Sequence, residues 1–91
     1  MSPNTPIRSL LNRFPLGYGE ARYNNRRYAT RRTLFNQGRS EKFYAEELGG
    51  TDFVSLNLYH TRAGGEQLRP CEMTPKKVIT FLQEADPIRT S

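Results

Sequence analysis

Asn24 and Asn25 interrupt RYNNRRYATRR, residues 22–32, between two stretches whose residues alternate in character. Asparagine tolerates the positive φ that both central positions of a two-residue hairpin turn demand, so residues 18–23 and 26–34 are expected to fold back on each other as antiparallel strands. The turn also sets the register. With Tyr23 opposite Arg26, Ala21 meets Tyr28 on one side of the ribbon, while Arg22 meets Arg27 and Tyr18 meets Arg31 on the other. One side is therefore apolar and the other basic.

The parity carries onward through the next turns. Asn36-Gln37-Gly38-Arg39 breaks the pattern, and SEKFYAEE (40–47) and DFVSLNLYHT (52–61) follow as strands joined by Leu48-Gly49-Gly50-Thr51, where the glycine pair supplies the backbone angles of a turn. Tyr28, Thr30, Leu34, Phe43, Ala45, Val54, Leu56 and Leu58 then share one face. Tyr18, Arg22, Arg27, Arg31, Lys42, Tyr44, Phe53, Ser55, Asn57 and Tyr59 share the other. After the flexible link Arg62-Ala63-Gly64-Gly65, residues 67–72 read as a fifth strand, confined to an edge because Pro70 has no N–H to donate.

At MTPKKVITFLQEA the period changes from two to that of a helix. Val78, Phe81, Leu82 and Ala85 fall on one stripe, Thr74 suits the N-cap, Pro75 the first helical position, and Met73 can staple to Val78. Residues 7–14, IRSLLNRF, predict a short helix ending at Pro15, marginal without tertiary support. A chain of 91 residues has room for one core. The expected class is α+β: a four- to five-stranded antiparallel meander with the C-terminal helix on one face. Its folded core is expected over about 16–86, with flexible tails at about 1–6 and 87–91.

Charge is uneven along the chain. Of the net +5, all and more comes from residues 1–40, where eight arginines stand against Glu20 alone. Basic side chains interleaved with exposed aromatic rings suit RNA or single-stranded DNA, since the cations neutralise phosphates and the rings stack on bases. The expected nucleic-acid-binding set is Tyr18, Arg22, Arg27, Arg31, Lys42, Tyr44, Phe53 and Tyr59. The same face also suits a protein partner or a second copy of the chain, with the arginines as its rim. In a third arrangement, Ile7, Leu10, Leu11 and Phe14 fold over Tyr44, Phe53 and Tyr59 and leave no free surface.

Lys76 and Lys77 occupy the first turn of the expected helix, where its dipole disfavours cations. Thr74, Lys76 and Lys77 are thus a candidate anion site, with the lysines reaching Glu72 or solvent as the plainer outcome. Catalytic chemistry finds little footing. His60 is the only histidine and Cys71 the only cysteine, which supports neither a zinc ligand set nor an internal disulfide, and Glu46 and Glu47 point to opposite faces of one strand. Neither cofactor nor metal is expected. With no apolar run long enough to span a membrane and no secretory leader, the chain is expected to be soluble and cytoplasmic. The order helix, strands, helix is similar to that of double-stranded RNA binding domains, and TPKKV (74–78) resembles the start of their second helix. A short helix before five strands is also similar to Sm-like barrels. Both likenesses are of element order and carry no function over to this chain.

Overall fold

Both residues of the first turn take positive φ, 53° at Asn24 and 63° at Asn25. The flanking strands pair in the expected register, Tyr23 with Arg26, Ala21 with Tyr28, Arg22 with Arg27 and Tyr18 with Arg31. The computed structural model describes residues 6–88, so most of the two expected flexible tails, at 1–5 and 89–91, lies outside the described residues. In chain order the elements are α1 (Ile7–Leu11), β1 (Gly17–Tyr23), β2 (Arg26–Phe35), a 3₁₀ turn at Asn36–Gly38, β3 (Ser40–Glu47), β4 (Phe53–His60), β5 (Glu66–Pro70), α2 (Pro75–Glu84) and β6 (Asp86–Ile88).

The sheet has six strands in the order β5-β4-β3-β2-β1-β6, one more than the largest number expected. The first five form the antiparallel meander; the sixth is new. Chain leaving α2 at Ala85 is already extended, and Asp86, Pro87 and Ile88 lie along the free edge of β1 opposite Arg22, Ala21 and Glu20. Pro87 is tolerated because an edge strand does not need every N–H. The two edges, β5 and β6, are at opposite sides, so the sheet is open and not a barrel.

The core lies on one face only. Ala21, Tyr28, Phe43, Ala45, Val54, Leu56 and Leu58 from the sheet meet Val78, Phe81 and Leu82 of α2. Thr74 caps that helix, its hydroxyl accepting from the Lys77 N–H at 3.2 Å. Leu34, expected in the core, is 39% exposed. It sits one residue from the end of β2, and the inward positions beside it are taken by Arg32 and Glu41, both buried.

α1 also packs on this face, placing Leu10, Leu11 and Phe14 in the core and extending the folded body ahead of residue 16. A five-residue helix is not stable alone, and here both ends of its segment are tied. The Glu66 carboxylate accepts from the Ile7 and Arg8 N–H groups at 2.8 and 3.0 Å, satisfying donors that the helix start leaves free. At the other end the Arg13 guanidinium donates to the carbonyls of Leu82, Gln83 and Ala85, the acceptors that α2 leaves open. The consequence for function is direct. Residues 7–14 cover the helix side of the sheet, not Tyr44, Phe53 and Tyr59.

Candidate nucleic-acid interface

Side-chain alternation in the observed register puts Tyr18, Arg22, Arg27, Arg31, Lys42, Tyr44, Phe53 and Tyr59 on the sheet face opposite α1 and α2. No described element covers that face. Tyr18 and Tyr59 are exposed, as are the four cations, while Tyr44 and Phe53 are half-buried against each other with ring centroids 6.2 Å apart. The pairing continues to β5, where Arg69 lies opposite Asn57, itself opposite Lys42. Arg69 was not among the expected residues; the alternation of β5 was the signal that could have placed it.

Ion pairing divides the cations into two groups. Arg27 is bonded to Glu20, whereas Arg22 makes no ion pair among the described residues, although Asp86 stands opposite it in the β1–β6 register. Glu20 also relieves the direct opposition of Arg22 and Arg27, which as like charges across a strand pair would repel. Arg31 and Lys42, like Arg22, have no carboxylate partner among the described residues. Both lie beside Tyr44. A hollow of about 220 Å³ is lined by Arg31, Thr33, Lys42 and Tyr44. A second, of about 120 Å³, shares Arg31 and Tyr44 with the first and is lined also by Tyr18, Ala29, Thr30 and Glu46. Tyr44 thus borders two recesses, the first with cations as its only charges and the second containing one carboxylate.

The expected anion site at the start of α2 is arranged differently. Lys77 Nζ donates to Asp52 Oδ1 at 2.7 Å and lies 6.0 Å from the Phe53 ring centre, while Tyr28 donates its hydroxyl to Asp52 Oδ2 at 2.7 Å. Its cation is therefore met from within the chain, and Thr74 is occupied in capping. Lys76 is exposed. Hydrogen bonding from Lys77, first, and then from Tyr28 holds the Asp52 carboxyl below the usual carboxylate range, against the opposing effect of burial. Burial, reinforced by the hydrogen bond to Asp52 and its charge, raises the Tyr28 phenol well above its ordinary value.

That shift has a sign that can be tested. A phenol whose folded-state value is raised contributes stability that is fully present below the unfolded value of about 10 and is lost as pH rises past it. Tyr28 is expected to resist ionisation beyond the ordinary phenol range and to ionise only as the fold opens. The absorbance of tyrosinate between pH 10 and 12 checks this. In Tyr28→Phe the lagging fraction should vanish and the alkaline fall in stability should become shallower; an unchanged titration curve would contradict the arrangement.

Cys71 is half-buried, its sulfur accepting from Asn57 Nδ2 at 3.7 Å, and no three metal-ligating side chains gather among the described residues. No described helix is long and apolar enough to cross a membrane. Comparison with known protein families, with characterised proteins and with solved structures finds no match to this chain.

Proposed function

We propose that this chain is a non-catalytic binding module that holds RNA or single-stranded DNA on the open face of its sheet, in the reducing cytoplasm that a lone thiol fits. The observation that carries the reading is the placement of Arg31 and Lys42, neither with an acid partner among the described residues, in one hollow beside Tyr44 on an uncovered surface. Phosphates are the natural occupants of the Arg31–Lys42 recess, where a bidentate guanidinium and an ammonium converge. A base stacks on Tyr44, and the recess containing Glu46 offers a carboxylate acceptor to a base's amino group. The stacked Tyr44–Phe53 pair gives that platform rigidity.

Titration with mixed single-stranded oligonucleotides at about 50 mM salt, followed by NMR, tests the proposal. Shifts should concentrate on β2, β3 and β4 at outward positions. Arg31→Ala with Lys42→Ala removes two phosphate contacts, so the slope of log K against log salt should flatten by about 1.4 for a single strand. Tyr44→Ala should weaken binding roughly 5- to 100-fold, as expected for one lost base stack. Absence of any binding at that salt would remove the proposal. Concentration-dependent sedimentation of the free protein would then assign the same face to contact with a second copy.

A further inference from the structure

The open face runs out, at the ends of β3 and β4, into a hollow of about 340 Å³ whose walls include Asn36, Arg39, Ser40, Tyr59, His60 and Arg62. Two separate turns each contribute one arginine to it. The first turn, between β2 and β3, holds Asn36, Gln37 and Gly38 at φ of 53°, 58° and 87° and is fastened from three directions. The Arg39 N–H donates to the Asn36 carbonyl at 3.1 Å, Asn36 Nδ2 to Ser40 Oγ at 3.0 Å, and Arg8 Nη2 to the Gly38 carbonyl at 2.7 Å. The second turn, between β4 and β5, is closed by Thr61, whose N–H donates to the Gly65 carbonyl at 2.9 Å and whose hydroxyl accepts from the Gly65 N–H at 3.0 Å. His60 joins the two turns, its N–H donating to the Arg39 carbonyl at 2.8 Å.

Charge in the hollow is of one sign. None of its lining residues is an acid, and neither Arg39 nor Arg62 has a carboxylate partner among the described residues. The acids nearest in the pairing pattern are both engaged elsewhere. Glu66, opposite His60, receives the two N–H groups that start α1, and Glu41, next along β3 from Ser40, is bonded to Arg32 inside the core. Two guanidiniums on fastened backbone, with no internal counter-charge, make a site for a compact dianion that accepts several hydrogen bonds at once. Tyr59 is both a wall of this hollow and a ring of the open face, pairing with Ser40 across β3 and β4.

We infer that the hollow receives the terminal phosphomonoester of the strand lying on the sheet, with Tyr59 beneath the terminal base and Arg39 and Arg62 on the phosphate. This rests on the open-face reading and adds to it a preferred strand end. A terminal phosphate carries about one more negative charge than an internal diester near neutral pH, because its second pKa is about 6. It also reaches a recess at the sheet's margin that a continuing backbone would have to leave.

The test compares oligonucleotides of one sequence ending in a 5′-phosphate, a 3′-phosphate or hydroxyls at both ends. One of the phosphorylated forms should bind about tenfold more tightly than the hydroxyl form, and the end that responds sets the direction of the strand. Arg39→Ala with Arg62→Ala should abolish the difference while leaving the hydroxyl form's affinity within about twofold; both side chains are exposed, so folding is not at risk. Tyr44→Ala should weaken all forms alike. Equal affinity of the three forms for the unaltered protein overturns the end preference and leaves the open-face reading standing. A preference that survives the double substitution overturns it as well. If no form binds, both readings fall together.

Discussion

Arg32→Met is expected to cost about 3–5 kcal/mol of folding stability, because it leaves a carboxylate stranded in the core. Glu41 is 1% exposed and Arg32 6% exposed. Arg32 Nε donates to Glu41 Oε1 at 2.7 Å, its Nη2 to Asn12 Oδ1 at 2.7 Å and its Nη1 to the Phe14 carbonyl at 3.2 Å. Without the guanidinium, Glu41 keeps only Arg8, whose Nε is 3.5 Å from Oε2, and two acceptors of the α1 segment lose their donor. A domain of this size has about 5–15 kcal/mol in total, so the variant should lose a large fraction of its stability. Urea denaturation reads the loss as a lower midpoint at similar slope. Arg32→Met combined with Glu41→Leu should recover a large part of it, since an apolar pair of similar volume removes the buried charge along with its partner. If the single variant lies within about 1 kcal/mol of the parent, the pair is not desolvated as described.

That ion pair is also where reading the sequence stopped short. The alternation Tyr28, Thr30, Arg32, Leu34 already placed Arg32 inward, and Glu41 precedes inward Phe43 by two residues. Arg32 takes that inward place and is buried there, while Leu34, two residues on, stays at the margin. The strand faces and turns were legible because they depend on local chemistry: two asparagines with positive φ, a glycine pair, and a period of two. The capped helix at Thr74–Pro75 was legible for the same reason. β6 was not, because Asp86-Pro87-Ile88 has no periodicity and pairs only where α2 delivers it beside β1.

The candidate interface divides along the same line. Which residues face outward followed from parity, and all eight are where parity put them. Which of them carry an unmatched charge did not follow. That depends on Glu20 reaching Arg27, just as the charge at the start of α2 depends on Asp52 meeting Lys77 from a segment 25 residues away in the chain. The side on which residues 7–14 pack was equally non-local, decided by Glu66 and Arg13 at distances of about sixty to seventy residues along the sequence.

Phe81→Ala is expected to be the other severe change, at about 3–5 kcal/mol, since it opens a cavity at the point where sheet, α1 segment and α2 converge. Phe81 is fully buried, and its ring centre is 5.0 Å from that of Tyr23, 5.2 Å from Tyr28, and 6.3 Å from Phe14 and Phe43. Four rings from separate segments thus lose a common neighbour, and edge-to-face contacts with Tyr23 and Tyr28 go with the buried area. Phe81→Leu refills most of the volume and should cost only about 1.5 kcal/mol, separating the loss of packing from the loss of the ring. The difference between the two variants is read from their denaturation midpoints. The leucine variant has a second use. Because Phe81 touches only the helix side of the sheet, a folded Phe81→Leu protein should bind oligonucleotides on the opposite face with unchanged affinity and salt slope. A drop in affinity there would mean that the two faces are not independent, and that the outward rings depend on the packing beneath them.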